Sequence, residues 1–198
     1  MKERCEWALK SKSEQDYHDN DWGVPIHDDR LLFELLILEG QQAGLSWSTI
    51  LNKRANYKKA FDDFDPGKII KYDPGKIDQL LSNQGIVRNK LKINSVVSNA
   101  QAFLKIQKDH GSFSKFIWDF VDGKPIQNKW NSSAEVPSNT EISDRLSKTL
   151  KKLGFKFIGT TICYAFMQSA GMVNDHIVSC YRHKEIEELS KGSLCGKL

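Results

Sequence analysis

The chain has 198 residues, enough for one substantial hydrophobic core, and its 39% hydrophobic and 27% charged content excludes a disordered or fibrous polymer. No apolar run approaches the roughly 20 residues that span a bilayer. The charged start MKERCEWALK has no signal-peptide core, so an intracellular protein with no membrane partner is expected. The net charge of +4 is compatible with a polyanionic partner without requiring one, and the four cysteines favour thiol or metal chemistry over a disulfide framework.

Helix signals recur along the chain. In HDDRLLFELLILEG, Asp28 or Asp29 can cap, and Leu31, Leu32, Leu35, Leu36 and Leu38 form a broad apolar face. STILNKRANYKKAF repeats the pattern with Ile50, Leu51, Ala55 and Phe61. Two further starts, DPGKII and DPGKID, set Asp65 before Pro66 and Asp73 before Pro74, an aspartate cap followed by proline at the first helical position. KLKINSVVSNAQAFLKI carries Leu91, Val96, Ala100, Phe103 and Leu104 at helical spacing. Ser138 and Glu141 read as a capping box for the next helix, which closes near Gly154. TTICYAFMQSAG, ending at Gly171, is nearly all apolar and is expected to be the most buried helix. Strand-like alternation is scarce, and FKFIG is too short to carry a sheet. The expected class is all-α.

NQGIVRNKLKI differs in kind. A tight turn at Gly85 joins the segment Ile77 to Leu81 to the segment Leu91 to Phe103, and Arg88, Lys90 and Lys92 crowd the second start. Such a unit offers backbone N–H groups and a helix N-terminus to a phosphate. An ordinary helical corner with a solvated basic face has the same pattern.

NDHIVSC places His176 and Cys180 four residues apart, a spacing that on a helix brings both to one ion. Cys5 in RCEW and His18 in DYHDN could complete a tetrahedral zinc shell. By spacing alone, a hydrogen-bonded histidine and a core cysteine compete with that reading, because the set matches no standard zinc-finger pattern. Cys163 reads as core, and Cys195 sits in a polar tail.

Taken together, RCEW, YHDNDWGVP, LEGQQAGLSW, FDDFDP and LKKLGFKFIGTTICYAFMQSAGMVNDH resemble the bacterial DNA-3-methyladenine glycosylase I family, from Arg4 to Cys180. The resemblance implies a helix-hairpin-helix fold in which Cys5, His18, His176 and Cys180 hold one structural zinc ion and clasp the N-terminal segment to the C-terminal one. It implies a glycosylase domain of two helical lobes over residues 1–183 with a hairpin near 78–98; the segment 184–198 lies outside the resemblance and is expected to be a flexible tail. It further implies a cytoplasmic bacterial protein acting on double-stranded DNA, and a monomer is the default expectation. Base flipping and monofunctional hydrolysis would release 3-methyladenine, and weakly 3-methylguanine, leaving an abasic site. Two departures from the wider superfamily stand out. Val87 occupies the place of the hairpin's usual second glycine, and no catalytic aspartate follows the hairpin, so Asp109 takes no role.

Carried over residue by residue, the resemblance makes Glu39 the catalytic and base-recognising carboxylate. Tyr17, Trp47, Trp7 and Trp22 become base-binding groups, and Gly44 with Leu45 becomes the wedge that fills the gap left by a flipped base. Gly85, Arg88, Lys90 and Lys92 become contacts to the DNA backbone. Without it, the tryptophans read as core and Glu39 as a surface carboxylate. Trp118 and Trp130 are expected to pack only. No lysine lies within the pocket motifs, and Lys53 falls beyond Trp47, so hydrolysis without a Schiff base is expected.

Overall fold

Short polar side chains set where the helices begin. In the computed structural model, which describes residues 2–192, Ser11, Asp28 and Ser46 accept backbone N–H groups at the starts of α1 (Lys12–Asn20), α2 (Asp29–Gln42) and α3 (Trp47–Ala60). Asp65 and Asp73, each followed by proline, cap α4 (Pro66–Ile69) and α5 (Pro74–Ser82) as the sequence predicts. Asn89 caps α6 (Lys90–His110) and Ser112 caps α7 (Phe113–Trp118). Caps of this kind are each worth about 1 kcal/mol. The start of α8 (Glu141–Lys152) differs from expectation. Its capping box pairs Thr140 with Ser143, while the Ser138 hydroxyl donates to Asn139. Two further helices, α9 (Thr160–Ser169) and α10 (Tyr181–Gly192), complete a predominantly helical chain. The extended elements among the described residues are β1 (Ile126–Gln127) and β2 (Val173–Asn174), a parallel pair.

α2 is the central helix. Every residue from Leu32 to Gln41 is buried, because α3, α6, α7 and α9 pack around it. The expectation that α9 would be most buried is corrected: one of its faces turns Thr161, Ile162, Ala165 and Gln168 towards a cavity. Leu91 and Ala55 also leave their predicted apolar faces and are exposed. A second, smaller cluster of Cys5, Tyr17, Trp22, Ile177 and Cys180 joins the two ends of the chain. Beyond residue 183 the chain continues as α10 as far as Gly192, and Ile186 is fully buried. Cys195 and the rest of the expected tail, 193–198, lie outside the described residues. No described helix is long and apolar enough to cross a membrane.

Candidate functional site

A cavity of about 720 Å³ opens between the two clusters, with Trp7, Tyr17, Trp22, Glu39, Leu45 and Trp47 in its wall. Its aromatic rings come from two helices and from the segments on either side of the first. Tyr17 projects from α1, Trp47 opens α3, and Trp7 and Trp22 flank α1 in the chain. Tyr17 and Trp47 stand 5.4 Å apart between ring centroids, tilted by 57°, and Trp7 meets Trp22 edge-on at 4.9 Å. Among the described residues, two buried polar atoms here have no hydrogen-bond partner in normal geometry, Trp47 Nε1 and the Tyr17 hydroxyl, to which Ser169 gives only a minor contact. A buried polar group left unbonded costs on the order of 1–3 kcal/mol, so a pair of them in one cavity wall marks a place where a ligand supplies the missing bonds.

Glu39 lies one turn before the end of α2 and is buried. A second buried carboxylate on the same helix, Glu34, has a counter-ion: Arg54 Nε lies 2.6 Å from its Oε1. Glu39 forms no salt bridge among the described residues. Burial therefore pushes its carboxyl up to about 8, with Ser169 pulling weakly the other way. Tyr17 is also pushed well above its ordinary value, first by burial and then by the nearby Glu39. The cavity therefore combines π faces with an acidic group that lacks a positive partner. That combination suits a flat cationic ligand.

After α2 the chain turns sharply. Leu45 N–H donates to Gln42 O at 2.7 Å, and the intervening Ala43 (φ −42°, ψ 114°) and Gly44 (φ +79°) form a type II turn, whose third position requires glycine. The Gln42 amide donates to Leu45 O at 2.6 Å and holds the turn rigid. Leu45 is left 37% exposed at the cavity lip.

Gly85 sits between α5 and α6, where a Cβ would come within 3.0 Å of Asn83 Oδ1 and 3.2 Å of Asn56 Cγ. Glycine is needed there for close approach and not for a left-handed φ. Arg88 and Lys90 are exposed beside the start of α6. Lys92 is not. Its ammonium points inward and donates to Gln41 O at 2.8 Å and Ala43 O at 2.7 Å. The expectation that Lys92 offers a free cation to a phosphate is corrected, because its side chain lies on the buried stripe of α6 with Val96, Asn99 and Phe103.

Cys5, His18, His176 and Cys180 are all buried, and their ligand atoms lie within 4.8 Å of one another, a group that could hold a metal ion. His176 and Cys180 do not share a helix face as their spacing suggested. They converge across the turn between β2 and α10. Each imidazole is oriented from behind. His18 Nδ1 faces Asp19 Oδ1 at 2.9 Å, and Arg4 in turn holds Asp19 with Nε and Nη2. His176 Nε2 faces Trp22 O at 3.1 Å. Both partners only accept, so the outer ring nitrogens carry the hydrogens and the inner lone pairs face the sulfurs. Hydrogen bonding with Cys5 holds the Cys180 thiol low and pushes Cys5 up, while burial keeps His176 below its ordinary range and hence neutral. Trp22 touches His176 edge-on at 4.6 Å, so the cluster and the cavity share a wall.

A family model described as methyladenine glycosylase matches residues 7–183. The chain belongs to that family. Among the relatives of this glycosylase, the DNA-3-methyladenine glycosylase of Haemophilus influenzae is 50% identical over 180 residues, covering 91% of this chain and 97% of the relative. DNA-3-methyladenine glycosylase 1 of Escherichia coli is 47% identical over 178 residues, 90% and 95% respectively. The solved 3-methyladenine DNA glycosylase I of Staphylococcus aureus, whose structure describes 3-methyladenine recognition, superposes with a TM-score of 0.87 at 39% identity. That match covers 90% of this chain and 95% of the other.

Two features of the glycosylase cavity escaped the sequence reading. Asp175 lines it and gathers four donors, from Asn128, Trp130, Tyr164 and Gln168 at 2.6–2.8 Å. Its signal was its place in NDH, beside the ligand-like His176. Lys10 also lies on the lining, exposed at the rim, so the expected absence of lysine holds for the pocket motifs and not for the cavity.

Proposed function

We propose that this chain is a DNA repair glycosylase that flips an alkylated adenine out of duplex DNA and hydrolyses its N-glycosidic bond. It releases 3-methyladenine, and to a lesser degree 3-methylguanine, and leaves an abasic site. The observation that carries this reading is the aromatic cavity with Glu39 as its uncompensated acidic wall.

The chemistry follows from the charge of the lesion. Methylation at N3 makes adenine cationic, and cleavage releases it as a neutral purine, so the protein need not protonate the leaving group. It must extract the base, distinguish it from adenine and admit water to the sugar carbon. Flipping costs a few kcal/mol, less for a damaged base. Stacking against Trp47 and its neighbours returns about 1–3 kcal/mol per base. With no cationic base bound, a carboxyl at about 8 keeps its proton at neutral pH. A methylated purine replaces that proton as the counter-charge, and opposite charges about 4 Å apart attract by about 4 kcal/mol at an effective dielectric constant near 20. Neutral adenine gains none of this. Tyr17 OH supplies a polar contact to the edge of the base.

Leu45 and Gly44 enter the gap in the duplex as the wedge. The α5–turn–α6 unit is read as the helix-hairpin-helix element, gripping the backbone with Gly85, Arg88 and Lys90. The Cys5, His18, His176 and Cys180 set fits zinc. Zinc–sulfur and zinc–nitrogen bonds of about 2.3 and 2.05 Å in a tetrahedron place sulfur and nitrogen about 3.6 Å apart. The observed separations are 3.4 Å for Cys180–His18 and 3.7 Å for Cys5–His176 and Cys180–His176. Four protein ligands leave no place for a water, so the ion would supply structure only. The clasp would hold Tyr17, next to His18 in α1, and Trp22 in the cavity wall. The protein acts as a monomer.

Chromatography of the bases freed from N-methylated duplex DNA tests the reading. Release of 3-methyladenine with abasic sites left behind is expected, and release of nothing would refute it. Borohydride treatment during turnover should trap no covalent protein–DNA complex. A trapped complex would transfer the chemistry to an amine such as Lys10.

A further inference from the structure

Lys92 is buried and forms no salt bridge among the described residues, and its ammonium donates to Gln41 O and Ala43 O, carbonyls at the end of α2. Helix C-terminal carbonyls lack intrahelical partners and carry the negative end of the macrodipole, so an ammonium there satisfies them and is itself stabilised. Ala43 O also belongs to the turn that presents Leu45. Three further bonds extend the contact. The Gln41 amide donates to Lys92 O at 3.4 Å, Tyr57 OH donates to Gln41 Oε1 at 3.5 Å, and Val87 N–H donates to Tyr57 OH at 3.1 Å. A buried polar chain therefore runs from the hairpin turn, through α3, to the end of α2 and the wedge turn. None of Lys92, Gln41 and Tyr57 lines the base cavity.

We propose that Lys92, Gln41 and Tyr57 are positioning residues that couple the DNA-gripping hairpin to the wedge turn. The inference rests on the glycosylase reading of the site. The chain of bonds fixes the height of Leu45 relative to the backbone held at Gly85, so that gripping the strand and filling the stack occur in one geometry. A one-ångström error in such placement is costly in rate even far from the reacting atoms. These residues act on the duplex substrate and leave recognition of the free base untouched.

The test compares Lys92→Met, which keeps the length and removes the donors, with Tyr57→Phe, which removes one hydroxyl and keeps the buried ring. Single-turnover excision from N-methylated duplex should fall by about tenfold or more for Lys92→Met and by about threefold for Tyr57→Phe. Affinity for free 3-methyladenine, read from tryptophan fluorescence, should stay within about twofold of wild type in both. Excision unchanged in Tyr57→Phe, whether or not Lys92→Met folds, would overturn the coupling. So would a parallel loss of free-base affinity, which would reduce these residues to general packing. A wild-type chain that releases no base would instead defeat the functional reading itself.

Discussion

Replacing Glu39 by glutamine removes a buried ionisable group while keeping its shape, and the consequence for stability depends on pH in a direction that can be worked out. In the folded chain the Glu39 carboxyl is raised from its ordinary 4.5 to about 8. Between those values the unfolded chain has lost the proton and the folded chain has kept it, so stability falls as pH rises. The full contribution is present below pH 4.5 and is lost as pH climbs through 8. At 1.36 kcal/mol per pH unit, the wild type sacrifices up to about 4 kcal/mol by pH 8, an upper bound since local relaxation reduces it. Glutamine has no such dependence. Urea unfolding of wild type and Glu39→Gln at pH 5 and pH 8 measures the difference. The variant should match the wild type at pH 5 and be more stable by a few kcal/mol at pH 8. Parallel curves at the two pH values would show that Glu39 is not held protonated, and the reading of the pocket as an uncompensated acid would fail.

Tyr17→Phe removes a buried hydroxyl that has no partner in normal geometry among the described residues, so thermal stability should be unchanged or slightly raised while affinity for 3-methyladenine falls by about tenfold; a clear loss of stability would show the hydroxyl is bonded in the free protein. Cys180→Ser, or removal of metal by a chelator, should lower the urea midpoint and alter tryptophan emission through Trp22, because both ends of the chain come apart; an unchanged midpoint would mean that the four donors hold no ion. Arg88→Ala and Lys90→Ala should each weaken duplex binding and lower the slope of log affinity against log salt by about 1; unchanged slopes would remove them from the backbone contact.

Much of the fold was legible because the helix starts are local events. Asp65–Pro66 and Asp73–Pro74 cap and start their helices with atoms a few residues away, and no tertiary contact overrides them. The misreadings are of the opposite kind. Spacing alone put His176 and Cys180 on a helix, whereas their convergence depends on β2 and on Trp22 from the other end of the chain. The charge of Lys92 suits a surface, yet the residue stands four before Val96 and seven before Asn99 on the inward stripe, and two helix-end carbonyls replace the water it loses. The identities of the pocket residues came from the resemblance. Burial of Glu39 is a long-range result of four helices packing around α2, and nothing in its neighbours along the chain announces it.

Binding of free 3-methyladenine can be followed by tryptophan fluorescence and located in a structure of the complex. The purine should stack at Trp47 with its edge on Glu39 and Tyr17. A base found elsewhere, or no saturable binding at all, would show that this cavity does not recognise the lesion.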